Sequence, residues 1–141
     1  MKIIAGIISG LVLCSAMTPS PYRPVQKDKL AESIAKGKTI YVERCMSCHQ
    51  ENGQGLEGSF PPLAKADFLT KSADKALYAV KFGMEGKIVV NGKEYDNLMP
   101  NPGLEDAEVA DVINYIRNSW GNTSGKKMIT LEMVKAVQEK K

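Results

Sequence analysis

Two cysteines and a histidine lie within five residues of one another. Cys45 and Cys48 are separated by two residues, and His49 follows directly. This spacing is the attachment signature of c-type haem. The thiols lie about one helical turn apart, so both can form thioethers to one porphyrin, and the adjacent imidazole can ligate its iron. His49 is the only histidine in the 141 residues, so we expect one covalent haem with His49 as a ligand.

Other sites fit the same three residues less well. A structural zinc site needs about four ligands, and the only other cysteine is Cys14, near the N-terminus. A thioredoxin-like pair would be expected in a strand–helix–strand setting, which is absent around these residues. A plain disulfide between Cys45 and Cys48 stays compatible with an exported protein.

The second axial ligand must be another residue type, because no other histidine exists. Methionine is the usual partner of histidine in electron-transfer haem c. We expect Met99, which is followed by Pro100 and lies in a predicted loop that the proline would stiffen. Met84, which follows a predicted helix end, is the alternative, and Met128 and Met133 lie in the C-terminal tail.

Short helices must position these ligands. Apolar spacing predicts helices over about 29–44, 73–82 and 106–119, with a further short helix capped by Thr130. Asp28 is the candidate cap of the first helix, and Gly37 on its apolar face would let another helix approach closely. Asn-Gly at 91–92 predicts a β-hairpin near 88–95. Long loops such as 45–63 join these elements, which favours a bulky cofactor in the middle.

The N-terminal region reads as an export signal. Residues 1–16 combine Lys2 with an eleven-residue apolar run, which is too short to span a bilayer. Cleavage after Ala16 and lipidation of Cys14 are both compatible with the sequence. We assign 17–27 to a proline-rich linker, 28–121 to the working domain and 122–141 to a tail with a short helix.

Composition limits the function classes. Hydrophobic residues are 43% and charged residues 25%, as in soluble globular proteins. The net charge of +3 lacks the clustered surplus expected of a nucleic-acid-binding protein. Residues 65–93 carry a local excess of lysine. Either these lysines are solvated surface, or Lys71, Lys75 and Lys81 steer an acidic redox partner.

Residues 29–121 resemble the class I, single-haem bacterial cytochromes c. They are similar to the domains that occur alone or fused to copper nitrite reductases and haem–copper oxidases. The matching stretches are 37–44, 48–55, 60–63, 95–100 and 108–121. The resemblance implies an all-α cytochrome c fold, with three to four short helices around one covalent haem.

Individual roles also follow from the resemblance. It implies that the Pro61 carbonyl accepts the Nδ1 hydrogen of His49, and that Gly37 and Tyr41 lie where the N-terminal and C-terminal helices cross. Glu105 departs from the family's usual Ser or Thr cap, so Asp106 is the expected cap of the last long helix. Tyr95 and Trp120 are candidate contacts to the haem propionates.

The expected function is one-electron transfer without catalytic residues. We expect a periplasmic monomer, soluble or anchored to the membrane by a lipid at Cys14, that exchanges electrons with a respiratory complex, a terminal oxidase or a nitrite reductase. A fixed subunit of a membrane respiratory complex is the alternative. A haem-based gas sensor or enzyme would follow if Met99 did not ligate the iron.

Overall fold

The structure, a computed structural model, describes residues 25–122 and 127–139. The predicted export signal, Cys14 and most of the predicted linker lie outside these residues. Within them there are six helices and one two-stranded antiparallel hairpin. In chain order the elements are α1 Val25–Arg44, α2 Met46–His49, α3 Asp67–Lys71, α4 Ala73–Phe82, β1 Ile88–Val90, β2 Lys93–Tyr95, α5 Asp106–Arg117 and α6 Leu131–Lys135.

Four helices and the hairpin lie where the sequence predicts them. The expected number of three to four helices was too low, because α2 and α3 add two single turns, the first of them inside the predicted loop over 45–63. Segments of four and five residues are too short to show helical periodicity. None of the helices in the described ranges is long and apolar enough to cross a membrane.

Helices α1 and α5 cross at Gly37. A Cβ at this position would lie 2.0 Å from the Asp111 carbonyl oxygen and 2.8 Å from the Tyr115 Cβ. Glycine costs about 1 kcal/mol in a helix interior, and here it permits backbone contact between the two helices. One turn later Tyr41 is fully buried. The expected close approach at Gly37 is therefore confirmed.

A buried polar network joins α1, α5 and the C-terminal segment. The Asn114 side chain is 1% exposed and donates to Ser33 Oγ and to the Ile129 carbonyl, both at 2.9 Å. Its Oδ1 accepts from the Ile129 N–H at 2.8 Å. Ser33 in turn donates to Asp111 at 2.5 Å. Because Ile129 and Val134 are buried in the same core, this part of the predicted tail is integral to the domain.

Two predicted caps are wrong. Helix α1 begins at Val25, so Asp28 lies inside it. Helix α5 begins at Asp106, and its N-cap is Glu105, whose N–H donates to the Glu108 carboxylate at 2.9 Å. Glu105 and Glu108 form a reciprocal capping box, so Glu105 takes the capping position expected of Asp106. Thr130 does cap α6, since its side chain accepts from the Met133 N–H.

The hairpin turn is attached to α3. Asn91 and Gly92 have φ values of +51° and +78°, as a two-residue type I′ turn requires. Asn91 Oδ1 accepts from the Asp67 N–H at 2.9 Å, and Asp67 Oδ1 accepts from the Asn91 N–H at 2.8 Å. This reciprocal pair positions the hairpin beside α3, so that both form one wall of the cleft described next.

Candidate haem site

One apolar cleft runs through the middle of the domain as two adjoining pockets. The space between atoms in them, part of it open to solvent, is about 590 Å³ and 490 Å³. Helices α3, α4 and α5 and the hairpin line the first pocket with apolar side chains. The residues that line both pockets are His49, Pro61, Met84, Ile88 and Met99.

The cysteine–histidine motif occupies the turn between α1 and the end of α2. The Cys45 N–H donates to the Tyr41 carbonyl at 2.9 Å, and the His49 N–H donates to the Cys45 carbonyl at 3.0 Å. Cys45 lines the first pocket and Cys48 the second. Burial, with a smaller contribution from Cys48, raises the pKa of the Cys45 thiol to about 11. The two thiols therefore flank the imidazole in one cleft, as attachment to a single porphyrin requires.

The His49 ring has a defined tautomer. It is buried, and its Nδ1 lies 3.0 Å from the Pro61 carbonyl oxygen. Since a carbonyl oxygen can only accept, Nδ1 carries the hydrogen and the Nε2 lone pair is available to a metal. Burial lowers the pKa of His49 more than the bond to Pro61 raises it. The imidazole is therefore neutral at pH 7, the form that ligates iron.

Glycine lets the loop carrying Pro61 fold against the motif. The Gly55 N–H donates to the His49 carbonyl at 3.0 Å. A Cβ at Gly55 would lie 2.3 Å from the Phe60 carbonyl oxygen and 2.7 Å from the Pro61 carbonyl oxygen. Its φ of +66° is also one that other residues adopt at a cost. Gly55 thus fixes the distance between the His49 backbone and the carbonyl that orients its ring.

Two methionines line the same two pockets as His49. Met84 and Met99 form an isolated antiparallel bridge in which each N–H donates to the other's carbonyl at 2.8 Å. Met128 and Met133 line other surface grooves and neither of the two cleft pockets. The four methionines considered from the sequence are therefore reduced to two that line the cleft. The bridge itself was missed, because no local pattern pairs residues fifteen positions apart.

The two candidate propionate contacts lie in different places. Tyr95 is buried and lines the second pocket. Trp120 lines neither pocket. Its ring packs on Gly53, where a Cβ would lie 2.6 Å away, and against Tyr41 and Tyr115 at centroid distances of 5.0 and 5.4 Å. The two candidates therefore differ in position: Tyr95 lines the cleft, whereas Trp120 packs in an aromatic cluster with Tyr41 and Tyr115.

The lysines over 65–93 are mostly engaged with acidic side chains. Lys71 pairs with Asp67 at 3.1 Å, and Lys93 pairs with Glu57. The Lys81 side chain is only 16% exposed and lies 3.1 Å from an Asp106 oxygen. Its ammonium also donates to the carbonyls of Val134 and Val137. Lys81 therefore joins α4 to α5 and α6, which leaves its ammonium poorly placed for the alternative of steering a partner.

The cleft is lined by the two cysteines, by an oriented neutral imidazole and by two methionines. These residues define a mostly helical protein built to hold haem. Residues 34–120 match the family model described as cytochrome c, so the chain belongs to the cytochrome c family, in its class I. Membership of this family means covalently bound haem c with its iron, and a role in electron transfer. Members are generally electron carriers rather than enzymes.

Several relatives cover much of the chain. It is 39% identical over 120 residues to cytochrome c-552 of Thermus thermophilus, covering 79% of this chain and 80% of that protein. It is 32% identical to the cytochrome c subunit of a quinone alcohol dehydrogenase of Gluconobacter oxydans, over 62% of this chain and 19% of that subunit. It is 30% identical to the cbb3-type cytochrome c oxidase subunit FixP of Bradyrhizobium diazoefficiens, over 76% and 38%.

Proposed function

We propose that the protein is a single-electron carrier whose haem iron is ligated by His49 and Met99, and that it works outside the cytoplasm between respiratory redox proteins. One observation carries the ligand assignment. His49, with its Nδ1 bonded to Pro61, lines the same two pockets as Met99 and Met84. Of the two methionines, we assign Met99 because Pro100 follows it and stiffens the loop that carries it. Cys45 and Cys48 then attach the porphyrin from either side of His49.

The chain's own residues set the properties of the carrier. When bound, the haem supplies one electron through the exchange of ferric and ferrous iron. The Pro61 carbonyl orients His49 and increases its basicity. A methionine ligand raises the reduction potential, and the apolar lining of the first pocket excludes water, which acts in the same direction. Ligation of the iron by both His49 and Met99 would leave no coordination site for a substrate.

The second pocket offers the route for electron exchange. It contains Cys48 and is lined at its edge by Leu98, which is 66% exposed. Leu56, 53% exposed, pairs with Phe60 of the same pocket lining. We assign partner docking to this apolar edge, defined by Leu56 and Leu98. Redox encounters of this type bury little surface and are weak.

The ligand assignment is tested with Met99→Leu in the haem-loaded protein. Carbon monoxide should leave the spectrum of the reduced wild type unchanged and shift that of Met99→Leu, because the variant loses the sulfur that competes most strongly for the iron. Met128→Leu, outside the cleft, is the control and should behave as wild type. A wild-type spectrum that shifts with carbon monoxide would contradict the carrier assignment and favour gas sensing or catalysis.

Docking is tested with Leu98→Gln, compared with Val42→Gln at an exposed apolar position of α1. The electron-transfer rate to a membrane terminal oxidase should fall in Leu98→Gln and stay unchanged in Val42→Gln. The rate to a small inorganic oxidant should be equal in both, because it needs no protein contact. Equal rates of electron transfer to the oxidase in Leu98→Gln and Val42→Gln would contradict the docking assignment.

A fixed subunit of a membrane complex is the second candidate, because the relatives include cytochrome c subunits of a dehydrogenase and an oxidase. Lipidation of Cys14 would provide attachment to the membrane. Replacing Cys14 with serine and fractionating the cells distinguishes the two candidates. Release of the protein from membranes supports a lipid-anchored carrier, whereas retention together with a respiratory complex supports the fixed subunit.

A further inference from the structure

Met84 is a second thioether beside the proposed ligand. In the antiparallel bridge each N–H of Met84 and Met99 bonds the other's carbonyl, which makes them a directly opposed, hydrogen-bonded pair. The Cα atoms of such pairs lie about 5.5 Å apart, and the two side chains project from the same face of the ladder. Both side chains accordingly line both pockets of the cleft.

Met84 also lines a third space. Together with Phe68 and Ile88 it belongs to the lining of an open groove between α4, the hairpin and the C-terminal segment. Its side chain is only partly buried, and an unbranched methionine has three rotatable bonds. Met84 therefore stands at the boundary between the cleft and the surface, with space for its sulfur on either side.

We propose that Met84 is an alternative axial ligand, which takes the sixth position on the iron when Met99 is lost. The inference rests on the proposed function, because it takes Met99 as the normal ligand. Two thioethers that start from opposed positions can reach the same point, and they offer the iron the same soft sulfur donor. Replacing one by the other keeps a histidine–methionine pair and therefore the carrier function.

Oxidation is one way in which Met99 would be lost. Peroxide transfers one oxygen atom to the Met99 sulfur and leaves as water, and the product is the polar sulfoxide. The carbonyl and N–H of Met99 stay bonded to Met84, so the bridge still holds the second thioether in the cleft that His49 lines. Ligation by Met84 would preserve electron transfer until the sulfoxide is reduced.

The test uses four haem-loaded proteins: the wild type, Met84→Leu, Met99→Leu and the double variant. Two readouts report the ligand directly: the far-red charge-transfer band of thioether-ligated ferric haem, and carbon monoxide affinity in the ferrous state. Met84→Leu should resemble the wild type. Met99→Leu should keep the band, and the double variant should lose it. If Met84 occupies the iron in about nine-tenths of Met99→Leu molecules, the double variant should bind carbon monoxide about tenfold more tightly than Met99→Leu.

Two other outcomes distinguish failure of the Met84 proposal from failure of the Met99 assignment. If Met99→Leu and the double variant are identical and both lack the band, Met84 does not ligate, while the assignment of Met99 stands. If Met99→Leu equals the wild type and Met84→Leu loses the band, Met84 is the normal ligand and the proposed ligand pair is wrong.

A second measurement does not require the Met99 variants to acquire their haem. The wild type and Met84→Leu are titrated with peroxide, and oxidation at each methionine is followed by peptide mass spectrometry. Wild-type molecules oxidised at Met99 should keep the charge-transfer band, whereas Met84→Leu should lose it as Met99 is oxidised. Loss of the band at the same extent of Met99 oxidation in both proteins would overturn the proposal.

Discussion

Gly83 controls how closely the Met99 loop approaches α4. It ends α4 with φ +84° and ψ −179°, a region that essentially only glycine adopts. A Cβ there would lie 2.7 Å from the Met99 carbonyl oxygen and 2.8 Å from the Asn101 nitrogen. Gly86 has the same φ of +84° but no atom within 4 Å of its Cβ position. Comparing Gly83→Ala with Gly86→Ala therefore separates the effect of the steric contact from the effect of backbone strain.

The size of the effect follows from these distances. Both variants incur about 1–3 kcal/mol of backbone strain. Gly83→Ala also forces the Met99 carbonyl oxygen to move by roughly 0.7 Å, the difference between 2.7 Å and the 3.4 Å at which ordinary contact begins. Such overpacking typically costs 1–3 kcal/mol. If that cost weakens the bond between Met99 and iron, the apparent affinity of the iron for an external ligand should rise roughly 5- to 150-fold.

The assay is a carbon monoxide titration of the reduced, haem-loaded proteins, with the far-red thioether band of the oxidised proteins as a second readout. Gly83→Ala should bind carbon monoxide more tightly and lose band intensity, whereas Gly86→Ala should match the wild type in both. Thermal unfolding of the two variants checks that each remains folded. If the two variants have equal carbon monoxide affinities, Gly83 does not position Met99 and the reasoning is refuted.

Three further predictions concern the core. Gly37→Ala should lower the free energy of unfolding by about 1–3 kcal/mol, because its Cβ would overlap the α5 backbone. Asn114→Ala should lower it by about 3 kcal/mol, because both backbone groups of Ile129 lose their buried partner. Tyr41→Phe should cost about 1 kcal/mol at about pH 8, since the phenol donates to the Gln50 carbonyl at 2.6 Å. Denaturant unfolding measures all three.

The Tyr41 prediction has a defined pH dependence. Burial raises the pKa of Tyr41 well above its usual value of 10.0, so above pH 10 the phenol ionises in the unfolded chain and stays neutral in the folded one. The stabilising contribution of Tyr41 is therefore complete below about pH 10 and falls at higher pH by up to about 1.4 kcal/mol per unit. The difference between wild type and Tyr41→Phe should shrink accordingly. A difference that is constant up to about pH 11 would contradict the assigned burial effect.

Matched variants control the other two predictions. Thr39→Ala, on the exposed face of α1, should leave stability unchanged or slightly higher, because alanine is the better helix former. Asn118→Ala removes a more exposed bond to the Asn114 carbonyl and should cost less than Asn114→Ala. If either control lowered the free energy of unfolding as much as its partner variant, the loss would reflect substitution in general and not the specific contact.

Local chemistry made part of this structure predictable. The close approach at Gly37 could be read from one glycine on an apolar stripe, and the hairpin from Asn91 and Gly92. The turn that brings the two thiols and the imidazole together needs only five consecutive residues. In each case the physical cause lies within a few positions of its effect, where sequence spacing maps directly onto geometry.

The remaining features depend on residues distant in sequence. Helix α3 is too short to be stable alone, and its first residue is bonded to Asn91, 24 positions away. Lys81 reads as surface charge because its acceptors, Val134 and Val137, lie more than 50 positions later. Met84 and Met99 pair where two irregular segments come into contact, and no periodicity in the sequence predicts such a contact.

The network from Ser33 through Asn114 to Ile129 constrains the order in which the protein can be assembled. A growing chain emerges from its amino end, so Cys45 and Cys48 are exposed long before Ile129 is made. Until then Asn114 lacks its backbone partners and α1 lacks the segment that completes its packing. Non-local contacts of this kind form late. Docking of the segment that contains Ile129 onto Asn114 therefore completes the core only after the cysteine motif has been made.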